Sequence, residues 1–267
     1  MKKYVHGYSE RETQRLNEQS GILEQLLHSG TVYGQGESVL EAGCGVGAQT
    51  VILCGRNPEC RLKSIDISAQ SLAKAQANAD AHNAKNVTFQ QADILNLPFA
   101  AESFDHVFVC FVLEHVDDPQ KALGNLKYVL KPGGTLTVIE GDHGSCFWHP
   151  ETKASLDVWH SMIQVQQRIG HDPLIGRKLY PLLRQAGFII QDVSPRWVYT
   201  DALRPDLMHG VLDQIIVPMT NTAREQALQL SLIDETTWEK GIADLARSGT
   251  PPDGTFFYTW FKATGTK

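Results

Sequence analysis

Glycines stand at positions 43, 45 and 47, directly after the apolar run Val39, Leu40, Glu41 and Ala42. Glycines after a β-rich run let the backbone turn tightly and approach a ligand closely, with amide groups and a following helix N-terminus facing it. Such chemistry belongs to a nucleotide-type cofactor site. Gly43, Gly45 and Ala48 also fit the permissive dinucleotide fingerprint, and Asp66 arrives about twenty residues later, where a ribose-binding acid belongs. Glu41 bears on this choice, because a carboxylate two residues before the first glycine favours a cationic group and disfavours a pyrophosphate. Asp93 follows a further β-rich run, where it can accept from an exocyclic amine while Ile94 packs on a purine. His115 and His143 follow the next two runs and are the candidate general bases, histidine being the side chain that titrates near neutrality. Asp142 beside His143 lacks the further ligands that a metal needs, so no metal is expected.

These residues must be positioned by alternating strands and helices. From about residue 37, short β-rich runs alternate with helix-compatible ones, the pattern of a parallel sheet flanked by helices. Strands are expected over 38–42, 61–66, 87–91, 104–112 and 135–140, and helices over 48–54, from Ser68 to about 82, and from Asp118 with Pro119 to about 130. Lys131, Pro132, Gly133 and Gly134 stop the last of these helices. After residue 144 helical periodicity dominates over 151–168, a helix is expected over 178–186, and strands over 188–193 and 255–264. Residues 201–249 read as a mostly helical insertion, and the first 30 residues as amphipathic helices outside the sheet. The segments are therefore 1–35, an N-terminal helical cap; 36–143, the cofactor-binding half; and 144–267, completion of the sheet with helical insertions.

Composition narrows the class. The chain has 267 residues, 42% of them apolar, enough for a real core. A net charge of -6 lacks the basic footprint of a general nucleic-acid binder. The apolar run 107–113 is far too short to span a bilayer, and the residues after Met1, Lys2, Lys3 and Tyr4 are polar, unlike a secretory signal. Five cysteines with no CxxC pair suggest reduced thiols, and a cytoplasmic location is expected.

Taken together, the glycine loop with Glu41, Asp66, the segment Gln91 to Pro98, the segment Phe111 to Val116 and the turn Leu130 to Gly134 closely resemble the class I S-adenosylmethionine-dependent methyltransferases. The resemblance is strongest to the small-molecule, ubiquinone-biosynthesis-like branch and covers about residues 35–142. It implies a doubly wound α/β fold with a mostly parallel, seven-stranded Rossmann-like sheet, and S-adenosyl-L-methionine as cofactor, leaving as S-adenosyl-L-homocysteine. It further implies that Glu41, Gly43, Cys44 and Gly45 hold the methionine part, that Asp66 binds the ribose, and that Ile67 lines the adenine. Asp93 and Ile94 read the adenine, while Cys110 and Phe111 close the site near the sulfonium. The usual aspartate before the first glycine is here Glu41. Tyr8, Arg15 and Gln19 resemble a segment that some relatives fold over the cofactor.

Methyl transfer from a sulfonium is an in-line displacement with an already activated leaving group, so alignment and exclusion of water supply much of the catalysis. All five tryptophans lie after residue 144, which makes the later part of the chain the expected place of acceptor recognition, with Trp148, His149, Trp159, Trp197 and Tyr199 as candidates. An aromatic cover fits a small organic acceptor better than a nucleic acid. A protein methyltransferase and a non-catalytic binder of the same cofactor are the alternatives. A nicotinamide-dependent oxidoreductase is more remote, since it leaves Glu41, Asp93 and the 130–134 turn without roles. The acceptor atom and the oligomeric state stay open.

Overall fold

The structure is a computed structural model that describes residues 10–250 and 252–267, without the side chain of Arg11. Seven strands, β1 (Ser38–Ala42), β2 (Arg61–Asp66), β3 (Val87–Gln91), β4 (Phe104–Cys110), β5 (Leu130–His149), β6 (Ile189–Asp201) and β7 (Thr255–Thr266), form one sheet. Their order is β3-β2-β1-β4-β5-β7-β6. The helices are α1 (Glu10–His28), α2 (Ala48–Arg56), α3 (Ala69–Ala81), α4 (Pro119–Val129), α5 (Lys153–Arg168), α6 (Leu179–Gln185), α7 (Pro205–Met208), α8 (Val217–Asn221), α9 (Arg224–Gln229) and α10 (Glu235–Arg247). By its contacts the chain divides into two units.

One unit comprises Glu24–Gly141, Ile175–Arg196 and Trp260–Lys267. Its strands β1 to β4 and the start of β5 run parallel. The N–H of Lys267 donates to the Gly134 carbonyl and Gln191 reaches Thr266, so β7 runs opposite to β5 and β6. The core lies between strands and helices: Leu40, Val107, Val109, Leu136 and Val138 pack with Leu123 and Leu126 of α4. Helix starts follow the local chemistry. The Ser68 hydroxyl accepts from the N–H of Ser71, and the Asp118 carboxylate from that of Lys121, with Pro119 in the first turn. Strand order reverses between β1 and β4, and at such a switch point the carboxyl ends of parallel strands leave a crevice for ligands.

Among the described residues, the other unit comprises Glu10–Leu23, Asp142–Leu174 and Trp197–Thr259. Thr152 caps α5 in a reciprocal box with Ser155, and its hydroxyl also donates to buried Asp244 of α10 at 2.8 Å. Residues His209–Ile216 form a π-helix between α7 and α8.

The strands expected over 135–140 and 188–193 are longer in the structure. β5 takes in Leu130 to His149 and β6 extends to Asp201. Gly141 and Gly144 read locally as turns, but the β5-β7-β6 ladder carries the strand on through them, whereas Gly133 keeps a left-handed φ of +76°. The register shift between Phe104 and His106 absorbs the Lys131 to Gly134 segment as an irregularity. The first 30 residues contain one helix, α1, among the described residues.

The end of α1 is tied to the sheet by two buried ionisable groups. His28 stacks on Phe108 of β4 at 5.4 Å, and its Nε2 lies 2.6 Å from the Gln49 amide oxygen. Lys262 of β7 donates to the Ser29 carbonyl at 2.8 Å and to the Thr31 hydroxyl at 2.6 Å. Burial, with the cations of Lys262 and Arg56 nearby, lowers the His28 pKa to about 4 despite the Gln49 hydrogen bond. The folded protein thus keeps His28 neutral while the unfolded chain protonates it near 6.5. Below that pH the unfolded state binds the extra proton, so stability falls as pH drops from 6.5 toward 4, by about 3 kcal/mol in all. Urea unfolding over this range is expected to show a steeper acid loss for wild type than for His28→Gln.

Candidate active site

The glycine loop is fastened to the end of β2. The N–H groups of Gly43 and Cys44 both donate to the Ile65 carbonyl, at 2.8 and 2.9 Å. The Gly45 N–H donates to Asp66 Oδ2 at 2.9 Å, and the Ser68 N–H to Asp66 Oδ1 at 2.9 Å. Gly43 has φ +81°, and a Cβ there would collide with the side chain of Val112. Gly45 has φ +53°, and a Cβ there would meet nothing within 4 Å, so the loop presents an open cradle at this residue. The expectation that the loop's amides face the ligand is thus corrected for Gly43, Cys44 and Gly45. A pyrophosphate would find all three already committed.

Under the loop, Glu41 is buried, and its Oε2 accepts from the Thr50 hydroxyl of α2 at 2.6 Å and the Ser64 hydroxyl of β2 at 2.5 Å. Burial raises its pKa to about 7, against those two hydrogen bonds, and Asp66 adds to the rise. Burial also raises Asp66, opposed by its backbone donors. The next residue, Ile67, keeps 42% of its surface exposed, as scattered surface apolar side chains do, and so offers a face on which a flat ligand can pack. The Ala92 N–H bonds the Asp66 carbonyl and brings the turn after β3 alongside. There Asp93 Oδ1 accepts from the Leu95 N–H at 2.8 Å, while Ile94 is anchored through its carbonyl to Asn125 and packs on the core. At the end of β4, burial pushes the Cys110 thiol far up, leaving it a small apolar filler. Phe111 follows at φ +58° with its N–H on the Ile139 carbonyl.

The described parts fit S-adenosylmethionine at this crevice: a buried acid for a cationic end, an open glycine cradle, an oriented Asp66 for a diol, and an exposed Ile67 beside it for a purine. Comparison with known proteins decides the matter, since residues 34–187 match a family model described as a methyltransferase domain. The chain belongs to the class I S-adenosylmethionine-dependent methyltransferases. Over 209 residues this methyltransferase is 28% identical to an O-methyltransferase of Aspergillus sclerotiorum, covering 78% of this chain and 74% of that protein. It is 33% identical to an O-methyltransferase of Penicillium expansum over 164 residues, 60% of this chain and 55% of the relative, so it spans little more than half of that relative's length. Its fold is that of Haemonchus contortus phosphoethanolamine N-methyltransferase 2 in complex with S-adenosyl-L-methionine, with a TM-score of 0.57 at 16% identity over 94% of this chain and 56% of that one. S-adenosyl-L-methionine is the cofactor of this methyltransferase.

The two histidine candidates part company. His115 lies in a short 3-10 turn after β4, half-buried, with Nε2 3.1 Å from Glu114 Oε1. His143, expected after the fifth strand, lies inside β5 and is buried. Its Nδ1 is 2.6 Å from the Tyr258 hydroxyl, Gln166 stands 3.5 Å from Nε2, and its carbonyl takes the Trp159 indole N–H. The extended β5 carries it into an aromatic core, which corrects its placement at the ligand edge. Asp142 caps its own turn, accepting from Gly144 and Ser145.

Of the acceptor candidates, Trp148 and Trp159 are buried, edge to face at 5.9 Å, with the Trp148 indole on Ser155. Trp197, Tyr199 and His149 are exposed. Arg15 is buried on α1, bonded to Glu12 and Gln19, and Tyr8 lies outside the described residues. Thr50, Ser64 and Glu140 escaped sequence reasoning. A hydroxyl nine residues beyond Glu41, or on the neighbouring strand, carries no local signature.

Two outcomes are expected. Gly45→Ala places a methyl in the cradle and should abolish S-adenosylhomocysteine binding in calorimetry with only ~1 kcal/mol lost in stability, whereas Gly43→Ala should cost several times that through Val112. A cation bound at Glu41 requires the carboxylate, which protonates in the free protein at about pH 7. Affinity should therefore fall about tenfold from pH 8 to pH 6, and Glu41→Gln should bind weakly with that dependence removed.

Proposed function

We propose that this methyltransferase acts on the hydroxyl oxygen of a small organic molecule. A hydroxyl acceptor carries its proton at neutral pH, so its methylation gains from a base, whereas a tertiary amine or thiolate needs none. The observation that carries the reading is His115 on Glu114 after β4, an imidazole oriented by a carboxylate two residues beyond the Val112 that packs under the glycine loop. The relatives named O-methyltransferases support the same acceptor atom.

S-adenosylmethionine supplies a methyl on a positive sulfur, which departs with the bonding electron pair as the oxygen–carbon bond forms. Around that transfer the chain's own residues do the positioning. Glu41 holds positive charge, Asp66 and Asp93 accept hydrogen bonds, and Ile67 and Ile94 cover an apolar face. His115 takes the hydroxyl proton at Nδ1, while its Nε2–H donates to Glu114, whose carboxylate stabilises the imidazolium. Within the helical unit, exposed Trp197 and Phe147 both stack on half-buried Phe257, at 6.2 and 4.4 Å.

Incubation with methyl-labelled cofactor and a panel of phenols and hydroxy acids should place the label in a methoxy group. Label found only on nitrogen or carbon would refute the assignment. His115→Asn should lower kcat by about a hundredfold or more with the affinity for S-adenosylhomocysteine unchanged.

A further inference from the structure

A fully buried acid lies midway along β5, level with the end of β4. Glu140 has no exposed surface. Its Oε1 accepts the backbone N–H of Val112 at 3.0 Å and that of Leu113 at 2.7 Å, while its Oε2 has no hydrogen-bond partner among the described residues. Burial, and then the neighbouring Glu114 carboxylate, push its pKa well above the usual carboxylate range, against the backbone N–H groups that it accepts.

The turn that it holds is strained. Phe111 sits at φ +58°, the left-handed region, which a bulky side chain occupies only where its surroundings over-determine it. The residue after it, Val112, fills the space that the missing Cβ of Gly43 leaves open. The Phe111 N–H is itself held by the Ile139 carbonyl, one residue before Glu140. A contiguous path therefore runs from the middle of β5, through two amides of the β4 exit, to the glycine loop. We propose that Glu140 is a positioning residue of the cofactor site, bracing the left-handed Phe111 and setting Val112 against Gly43. An apolar residue of similar size would leave the Val112 and Leu113 amides without an acceptor in a dry interior, and the strained conformer would relax toward one that no longer supports the loop.

The inference rests on the cofactor lying against that loop. Calorimetric titration with S-adenosylhomocysteine tests it in a double-mutant cycle of Glu140→Leu and Phe111→Gly, each variant first checked for folding by circular dichroism. Glu140→Leu should weaken binding about tenfold, and Glu140→Gln, which keeps an acceptor oxygen, should stay within about threefold of wild type. In the Phe111→Gly background, where glycine takes the positive φ freely, the same Glu140→Leu change should cost less than about threefold. If Glu140→Leu does not fold, Glu140→Asp, which withdraws the acceptor by one methylene, takes its place in the cycle. Wild-type affinity in the leucine or aspartate variant, or an equal loss in both backgrounds, would overturn the proposal. Failure of the wild-type protein to bind would instead sink the cofactor placement itself.

Discussion

Ile65 and Asp66, the last two residues of β2, receive three consecutive N–H groups of the loop that leaves β1. One carbonyl and one carboxylate thereby join the exits of two parallel strands and impose the positive φ values at Gly43 and Gly45. Buried backbone donors must be paired, and this pairing is made within the protein before any ligand arrives. The ligand that suits such a loop does not depend on those amides for anion binding, and a cofactor with positive charge at its sulfur and amine satisfies that condition. The Asp66 carboxylate, oriented by Gly45 and Ser68, keeps further lone pairs for donors from outside.

Four buried ionisable side chains divide their work between fold and site. His28 and Lys262 fasten the end of α1 to β4, α2 and β7, and burial lowers the pKa of both, that of Lys262 to about 8. Glu41 near the end of β1 and Glu140 midway along β5, level with the end of β4, are raised by burial, each kept in place by hydrogen-bond donors on neighbouring elements. The two acids differ in what they retain. Glu41, near neutrality, is poised to ionise beside a cation, whereas Glu140 is committed to two backbone N–H groups of the β4 exit. Such groups cost stability unless partnered, and the partnered ones cluster at the carboxyl edge of the sheet, where they bear on the site.

Local chemistry made the first half of the chain legible. β1, β2 and β3 are short β-rich runs, β1 ending against Gly43 and β2 on Asp66, and the caps at Ser68 and Asp118 are short-range hydrogen bonds written in adjacent residues. Phe104 to Val112 reads as a central strand because it is nearly continuously apolar, but the strand ends at Cys110, where Phe111 turns to a left-handed φ. In the second half the local signals mislead. Gly141 and Gly144 suggest that β5 has ended, yet the strand continues to His149 because β7 lies beside it, and Tyr258, more than a hundred residues away, claims His143. Trp148 and Trp159 go into the core by the same long-range packing, while Trp197 stays out.

By itself, the sequence determined the parallel half of the sheet, the glycine loop at its switch point and the acids Glu41, Asp66 and Asp93 around it, because each depends on residues near one another along the chain. Only the tertiary structure decided which histidine is buried, that the loop amides turn inward to β2, and that Glu140 reaches across to the β4 exit. Those outcomes depend on contacts between residues distant in sequence, and on burial, which changes the charge of an acid without any change in its neighbours along the chain.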